Sequence, residues 1–297
     1  MIQPLLSVCI ITYNHEEYIR DAIEGVLMQK VNFNYEIIIA DDYSTDNTRK
    51  ILLEYKEKYP KFFKLILQEK NVGAAQNWLD LISTPKSKYI AYFEGDDYWT
   101  DPLKLQKQVD FLEANAEYGL VCTNYTSDLI TTAIDNSKDI YLKDILKDSA
   151  VGTVTTMFKN SILQQHLLNT ANLQLSMGDF PLWIHISSMQ KVYKLSDTTA
   201  HYRILENSAS ARNDVVKRIK FALDVLTVVK ENLNKIEDKK NQNAILQERY
   251  GQLFNLLMEA KDRRFMKYQW EYFKLARVFN SLDAKILIKG IYRVYVS

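Results

Sequence analysis

The sequence predicts an α/β protein with a mostly parallel central sheet flanked by helices and a helical extension at its C-terminal end. Three observations lead there. Over roughly the first 125 residues, short β-branched apolar runs alternate with stretches of helical periodicity. The apolar runs are near-continuous, as in strands buried on both faces. From Val215 onward the periodicity is helical.

Leu6 to Thr12 is the first strand. Glu16 to Met28 follows as a helix, with Ile19, Ala22, Ile23, Val26 and Leu27 at helical spacing. Tyr35 to Ala40 is the second strand and ends in Asp41-Asp42. Ser44-Thr45-Asp46-Asn47 then offers capping side chains for a helix reaching Tyr59. Phe63 to Leu67 is the third strand, followed by Asn71-Val72-Gly73 and a helix over Ala74 to Ile82. Lys88 to Phe93 is the fourth strand. Asp101-Pro102 opens a helix that runs to Asn115, with Asp at the cap and Pro in the first turn. Gly119 to Asn124 is the fifth strand. Repeated β-α units imply parallel pairing with helices on both faces.

Beyond residue 125 the pattern loosens. Gly152 to Phe158 is expected as a strand, Asp179 to Met189 as a helix, and Lys191 to Leu195 and Thr199 to Ile204 as two strands. Ile219, Ala222, Leu223, Val225, Leu226 and Val229 mark an amphipathic helix. Asp238-Lys239-Lys240-Asn241 is a polar break before a second helix to Ala260. The tail from Lys261 to Ser297 is aromatic and basic, with nine Lys/Arg against three Asp/Glu and thus a net charge of +6.

Bulk properties narrow the function classes. The net charge of +1 over 297 residues gives no reason to expect a nucleic-acid partner. Cys9 and Cys122 lie in strand-like runs, which suits a reducing cytosol and offers no disulfide framework. No CxxC motif or Cys/His cluster suggests zinc. Met1-Ile2-Gln3-Pro4 carries no basic region before the apolar run, so no signal peptide is expected. No apolar stretch approaches the ~18 residues of a membrane span. A cytoplasmic protein is expected, reaching at most the inner face of the membrane.

The fourth strand ends in Glu94-Gly95-Asp96-Asp97, three carboxylates around a glycine. Like charges this close repel and raise one another's pKa. Two explanations stand: a solvated acidic turn, or a site for a divalent cation with hard oxygen ligands. The neighbouring strand ends bear on the choice, because ligands of open α/β sheets bind outside the carboxyl ends of the strands. Strand one ends in Thr12-Tyr13-Asn14, strand two in Asp41-Asp42-Tyr43-Ser44, and strand three is followed by Asn71 and Gly73. Polar groups at all four ends favour a binding site. Tyr13 can stack on a base, and an aspartate can accept from uracil or ribose. No GxGxxG follows strand one and no Walker A loop occurs, so a phosphate group would be held by metal and side chains. A nucleotide diphosphate is the ligand this pattern favours.

Ser7-Val8-Cys9-Ile10-Ile11-Thr12-Tyr13-Asn14, Glu36 through Thr48 and Glu94-Gly95-Asp96-Asp97-Tyr98-Trp99 resemble the family 2 glycosyltransferases of the GT-A fold. Asp101-Pro102-Leu103-Lys104-Leu105-Gln106-Lys107-Gln108 is similar to the bacterial capsular and O-antigen polysaccharide members. The similarity covers about residues 5 to 210, in the family's motif order. It implies a GT-A catalytic domain over 1–212, with a nucleotide-binding half at 1–125 and an acceptor-binding half at 126–212, and a helical region over 213–297. It implies an inverting sugar transferase using a nucleotide-diphospho sugar, a UDP-sugar first, with Mn2+ or Mg2+. The acceptor would be a saccharide or lipid-linked saccharide of surface polysaccharide synthesis.

The resemblance assigns Thr12, Tyr13 and Asn14 to the nucleotide base, and Asp41 and Asp42 to base and ribose. Asn71 and Gly73 match the flanking loop, and Glu16 and Asn77 are placed with the same nucleotide-sugar set. Glu94 and Asp96 match the Asp-x-Asp motif with Asp97 beside it. Glu in the first place departs from that motif, which makes Asp96 the firmer metal ligand and leaves Glu94 to the metal, the ribose or the sugar.

Inverting transfer needs a general base on the acceptor hydroxyl. Asp179 matches the family's base position, although its spacing to Pro181 alone describes a helix cap. His201-Tyr202-Arg203 with Ser208 and Ser210 resembles a tyrosine-arginine element before a loop, and Arg203 would face the diphosphate; an edge-strand arginine is the alternative. His166 and His185 are expected to be structural. Trp99 and Trp183 either wall the acceptor pocket or pack in the core. The tail's Arg263, Arg264, Lys267, Trp270, Tyr272, Lys274 and Arg277 suit a membrane surface, and a packed helical appendage or a homodimer contact is the alternative. A sugar nucleotidyltransferase would need a glycine-rich basic loop after strand one, and Thr12 through Glu17 has none. A non-catalytic nucleotide-sugar-binding scaffold is the remaining rival.

Overall fold

The computed structural model describes residues 3–129, 136–148, 150–170, 177–205 and 214–276. The chain divides into two compact units: Met1–Tyr141 with Val151–Arg203, and Leu142–Ala150 with Ile204–Ser297.

In the first unit the strands are β1 (Leu6–Thr12), β2 (Tyr35–Asp41), β3 (Phe63–Leu67), β4 (Tyr89–Glu94), β5 (Tyr98–Trp99), β6 (Tyr118–Ser127), β7 (Lys138–Ile140), β8 (Met157–Lys159) and β9 (Lys191–Tyr202). Its helices are α1 (Ile19–Leu27), α2 (Thr48–Lys58), α3 (Ala74–Ile82) and α4 (Lys104–Ala114), then α6 (Asn160–Thr170) and α7 (Asp179–Met189); α5 (Leu142–Asp148) belongs to the second unit. One sheet has the order β3-β2-β1-β4-β8-β6-β9-β5, with β7 on β9. The first four strands are parallel, as their buried apolar runs require. Val8, Ile10, Ile37, Ile39, Ala91 and Phe93 form the centre of the core, each fully buried.

Four expectations are corrected. The fifth predicted strand, β6, does not continue the parallel series; β8 lies between β4 and β6, antiparallel to both. The expected strand over Gly152 to Phe158 starts instead as a 3-10 turn, Thr153–Thr155, because Thr155 donates both its N–H and its hydroxyl to Gly152 O. The two strands expected at 191–195 and 199–204 are one, β9. Register shifts around Asn124 absorb the intervening residues, and Asn124 Nδ2 holds Ser196 O at 2.9 Å. Helix α1 starts at Ile19 rather than Glu16, because Asn14 is left-handed (φ 54°) and Glu16 is tied to the start of α2.

The second unit contains α5, α8 (Val215–Asn232), α9 (Lys239–Glu259) and α10 (Phe265–Ala276). Ile219, Leu226, Tyr250, Leu253, Leu257 and Phe265 make its own core. Helix α5 belongs here because buried Arg249 of α9 donates to its last carbonyls, Leu146 O at 2.9 Å and Ile145 O at 3.3 Å. Those groups have no partner within the helix. Among the described residues no helix is long and apolar enough to cross a membrane.

Candidate active site

Register sets the site. Thr12 lies opposite Asp41 across β1 and β2, and Ile11 lies opposite Glu94 across β1 and β4. The carboxyl ends of three parallel strands therefore finish level.

At the β2 end the two aspartates do different things. Asp41 is fully buried; its Oδ2 accepts from Arg49 Nε and Nη2 at 2.8 and 2.6 Å, and its Oδ1 accepts from the Ser44 hydroxyl. It anchors the loop between β2 and α2. Asp42 accepts from the N–H groups of Val72 and Gly73 at 2.7 and 3.0 Å, and its backbone O accepts from Asn71 Nδ2 at 3.2 Å. Burial raises the Asp42 carboxyl above the usual carboxylate range, and those two N–H groups oppose the rise. Gly73, at φ 87°, takes a backbone conformation that side chains disfavour.

Several predicted nucleotide contacts hold the loops together. Asn14 Oδ1 accepts from Thr45 N at 2.8 Å, and Glu16 Oε2 from Asn47 N and Nδ2 at 2.7 and 2.6 Å. Asn77 is fully buried and braces α3 against β2 through Ala40 O at 3.1 Å. Tyr13 is exposed at this edge, with its ring available.

At the β4 end, one carboxylate oxygen each from Glu94, Asp96 and Asp97 lie within 4.8 Å of one another. Gly95 donates to Ile11 O at 2.9 Å, and a Cβ there would lie 2.9 Å from Ile19 Cδ1 and 3.1 Å from Thr12. A side chain at this position would force the Ile19 and Thr12 side chains to shift. Asp96 is 6% exposed; among the described residues its Oδ1 is buried with no partner, and Thr12 Oγ1 is likewise buried and unpaired. Burial, then Asp96, then Asp179 push the Glu94 carboxyl up to about 8. Burial, Asp96 and Glu94 also raise Asp97 far above its ordinary value, against the bond it accepts from Arg203 N at 2.9 Å. His15 Nε2 lies 4.0 Å from Asp96 Oδ2, and burial lowers its pKa. Three crowded hard oxygens, one of them an orphan in the interior, fit a Mg2+ or Mn2+ ion, which would hold them ionised.

Arg203 closes this edge. Its Nη1 donates to Asp96 O at 2.7 Å, its Nη2 meets the Asp21 carboxylate, and its guanidinium lies over the rings of Tyr98 (4.4 Å) and Tyr18 (5.2 Å). Ser208 and Ser210, expected nearby, lie outside the described residues.

Asp179 opens α7. Its Oδ1 accepts from Phe180 N at 2.8 Å and its Oδ2 from Thr153 Oγ1 at 2.6 Å. Gly178, just before it, sits against Trp78; a Cβ there would lie 2.5 Å from the indole. Asp179 contributes to the raised pKa of Glu94, so the carboxylate and the acidic cluster share one field.

Trp99 and Trp183 are core residues, each 2% exposed. Trp99 Nε1 donates to Val154 O at 2.9 Å, and Trp183 meets Phe158 edge-on. His166 and His185 pack ring to ring at 5.2 Å, and burial, then His185, lower His166 to about 4. Arg49, Asp21, His15 and Thr153 were missed. Asp21, His15 and Thr153 belong to the site through partners distant in sequence, Arg203, Asp96 and Asp179, and Arg49 through Asp41 eight residues before it; no local pattern marks these pairings. A cavity of about 750 Å³ lies in the second unit, lined by Lys147, Gln247, Phe254, Asn255 and Tyr272 among others, and includes none of the acidic-edge residues.

Comparison with known proteins agrees with this fold. The family model for glycosyl transferase family 2 matches residues 7–172. An uncharacterised protein of Mycobacterium tuberculosis is 49% identical over 112 residues, 38% of this chain and 32% of that protein; the chain thus spans about a third of that relative. The putative teichuronic acid biosynthesis glycosyltransferase TuaG of Bacillus subtilis is 30% identical over 218 residues, covering 70% of this chain and 82% of that one. The crystal structure of S. aureus TarS 1-349 in complex with UDP-GlcNAc superposes with a TM-score of 0.66 at 16% identity, covering 97% of this chain and 89% of that one. At that identity the likeness is one of fold.

Proposed function

The chain belongs to glycosyl transferase family 2, and from that premise we propose that it is an inverting, cation-dependent glycosyltransferase. Its donor would be a UDP-sugar and its acceptor a saccharide or lipid-linked saccharide of surface polysaccharide synthesis. The name of TuaG supports the product class, and the UDP-GlcNAc bound to TarS supports the donor class. One observation carries the reading: the orphan Asp96 oxygen within the Glu94, Asp96 and Asp97 cluster, level with Thr12 and Asp41.

In this reading Asp42 and the exposed Tyr13 take the nucleoside. Glu94, Asp96 and Asp97 would hold Mg2+ or Mn2+, which when bound neutralises charge on the leaving diphosphate. Arg203 adds a fixed positive charge beside the cluster. Asp179 accepts the acceptor hydroxyl's proton as that oxygen bonds to the anomeric carbon and the bond to the diphosphate breaks. The exposed Trp270, Lys267 and Lys274 of α10 support a membrane-surface contact as part of the same proposal; Arg277 lies outside the described residues.

Thermal unfolding with a panel of UDP-sugars, with and without Mn2+, tests the proposal. A donor that binds the folded state raises the melting temperature. The expected result is stabilisation that needs both cation and nucleotide sugar, is lost in Asp96→Ala and is kept in Asp179→Asn, while Asp179→Asn abolishes sugar release. Nucleotide binding with no turnover over an acceptor panel would favour a scaffold instead.

A further inference from the structure

Thr153, Thr155 and Thr156 sit in one short turn, and their hydroxyls behave differently. A threonine in a turn ordinarily bonds a nearby backbone carbonyl. Thr155 Oγ1 does so with Gly152 O at 2.7 Å, and Thr156 Oγ1 with Thr153 O at 3.0 Å. Thr153 Oγ1 leaves the turn and donates to Asp179 Oδ2 at 2.6 Å, across 26 residues of sequence.

The turn that carries Thr153 is fastened from independent sides. Trp99 Nε1, just past the acidic cluster, donates to Val154 O at 2.9 Å. Gln108 Nε2 donates to Thr155 O at 2.8 Å and to Val121 O at 3.2 Å. Gln108 is itself fixed: it is fully buried, and its Oε1 accepts from the buried Lys104 Nζ at 2.7 Å. Gly152, entering the turn, has the Tyr125 ring where a Cβ would stand, 2.6 Å away. The hydroxyl at position 153 is thus presented by a frame that rests on Trp99 of β5, two residues past Asp97.

Among the described residues no neighbour other than Thr153 fixes Asp179 Oδ2. The Phe180 N–H holds Oδ1 alone, and rotation of a carboxylate about its last torsion is broad. With both oxygens held, the carboxylate plane is set, and each oxygen keeps a lone pair to accept a proton.

We propose that Thr153 is the positioning residue of Asp179, aiming its carboxylate at the acceptor hydroxyl. This rests on the reading of Asp179 as the base. In the step so positioned, the acceptor oxygen bonds to the anomeric carbon and its proton goes to Asp179. The bond between that carbon and the diphosphate breaks, and its electron pair leaves on the diphosphate. Misplacing a reacting group by about 1 Å costs on the order of 100-fold in rate, so losing the Thr153 bond is expected to act on kcat.

The test compares Thr153→Val, Thr153→Ser and Asp179→Asn with the full wild-type chain. Crystal structures read the position of the Asp179 carboxylate, and UDP release from the stabilising UDP-sugar reads kcat and KM. The expected result is a carboxylate rotated away in Thr153→Val, kcat lower by roughly 10- to 100-fold with the donor KM unchanged, and both restored in Thr153→Ser. An unmoved carboxylate, or an unchanged kcat in Thr153→Val while Asp179→Asn is inactive, overturns the positioning role alone. Full turnover in Asp179→Asn overturns the base reading itself. If Thr153→Val does not fold, Thr153→Ala is judged by the same carboxylate position.

Discussion

At the scale of single residues, chemistry was legible where a residue type is costly without a purpose. Three acids around Gly95 stand out in the sequence because repulsion needs a remedy, and the structure adds that Asp96 Oδ1 is buried without one. The division of labour between Asp41 and Asp42 was not legible, because it depends on Arg49 and on the N–H groups of Val72 and Gly73. Glu94 yields a pH prediction. Its value in the folded state, about 8, lies above the ordinary carboxylate value of ~4.3. The folded protein therefore keeps a proton that the unfolded chain releases. That stabilisation is fully present below the unfolded value and is lost as pH rises through about 8. Without divalent cation, the melting temperature is expected to fall between about pH 5 and 8. Saturating Mn2+ should remove much of that fall by displacing the proton, and Glu94→Gln should flatten the cation-free profile. A cation-free profile with the same slope in wild type and Glu94→Gln would refute the assignment.

At the scale of elements, the sequence located α3 and α7 at their observed bounds because each is one continuous local stretch; a glycine, Gly73 or Gly178, precedes each, and no side-chain cap holds either start. It failed at β8, a three-residue strand whose identity comes only from its pairing with β4 and β6. It failed again at β9, where a bulge at Asn124 joins what looked like two strands. Long-range pairing is absent from a local window, and that is the common cause of both errors. The junction before α7 has the opposite character, since one glycine sets it. Gly178 places the start of the helix against the Trp78 ring, with no room for a methyl group. Gly178→Ala is expected to destabilise the protein by about 1–3 kcal/mol through overpacking. It should also lower turnover by displacing Asp179, whereas Gly73→Ala, with open space around it, should cost only backbone strain. Urea unfolding of the two variants checks this; equal losses would show that crowding at Trp78 is not what constrains Gly178.

At the scale of the whole molecule, the first unit carries the candidate transferase site and leaves the basic second unit to be accounted for. Helix α10 buries Phe265, Gln269 and Phe273 on one side, while Met266, Lys267, Trp270 and Lys274 are exposed on the other. Lys274 Nζ lies 5.6 Å from the centre of the Trp270 ring, so charge and aromatic surface are presented together. That combination suits the headgroup region of a bilayer, where an aromatic ring sits at the interface and cations meet anionic lipid. Each Lys or Arg near an anionic surface contributes about 1 kcal/mol. Removing two is then worth about 2 kcal/mol, roughly 30-fold in partitioning, since 1.4 kcal/mol is tenfold. Wild-type protein is expected to co-sediment with phosphatidylglycerol-containing vesicles far more than with pure phosphatidylcholine, and to release as salt rises. Lys267→Glu with Lys274→Glu should abolish the preference for anionic lipid, and Trp270→Ala should weaken binding to both compositions. Equal binding to neutral and anionic vesicles would reject the surface. A molar mass that doubles with concentration, and stays at the monomer value in Trp270→Ala, would assign the same face to a second copy of the chain.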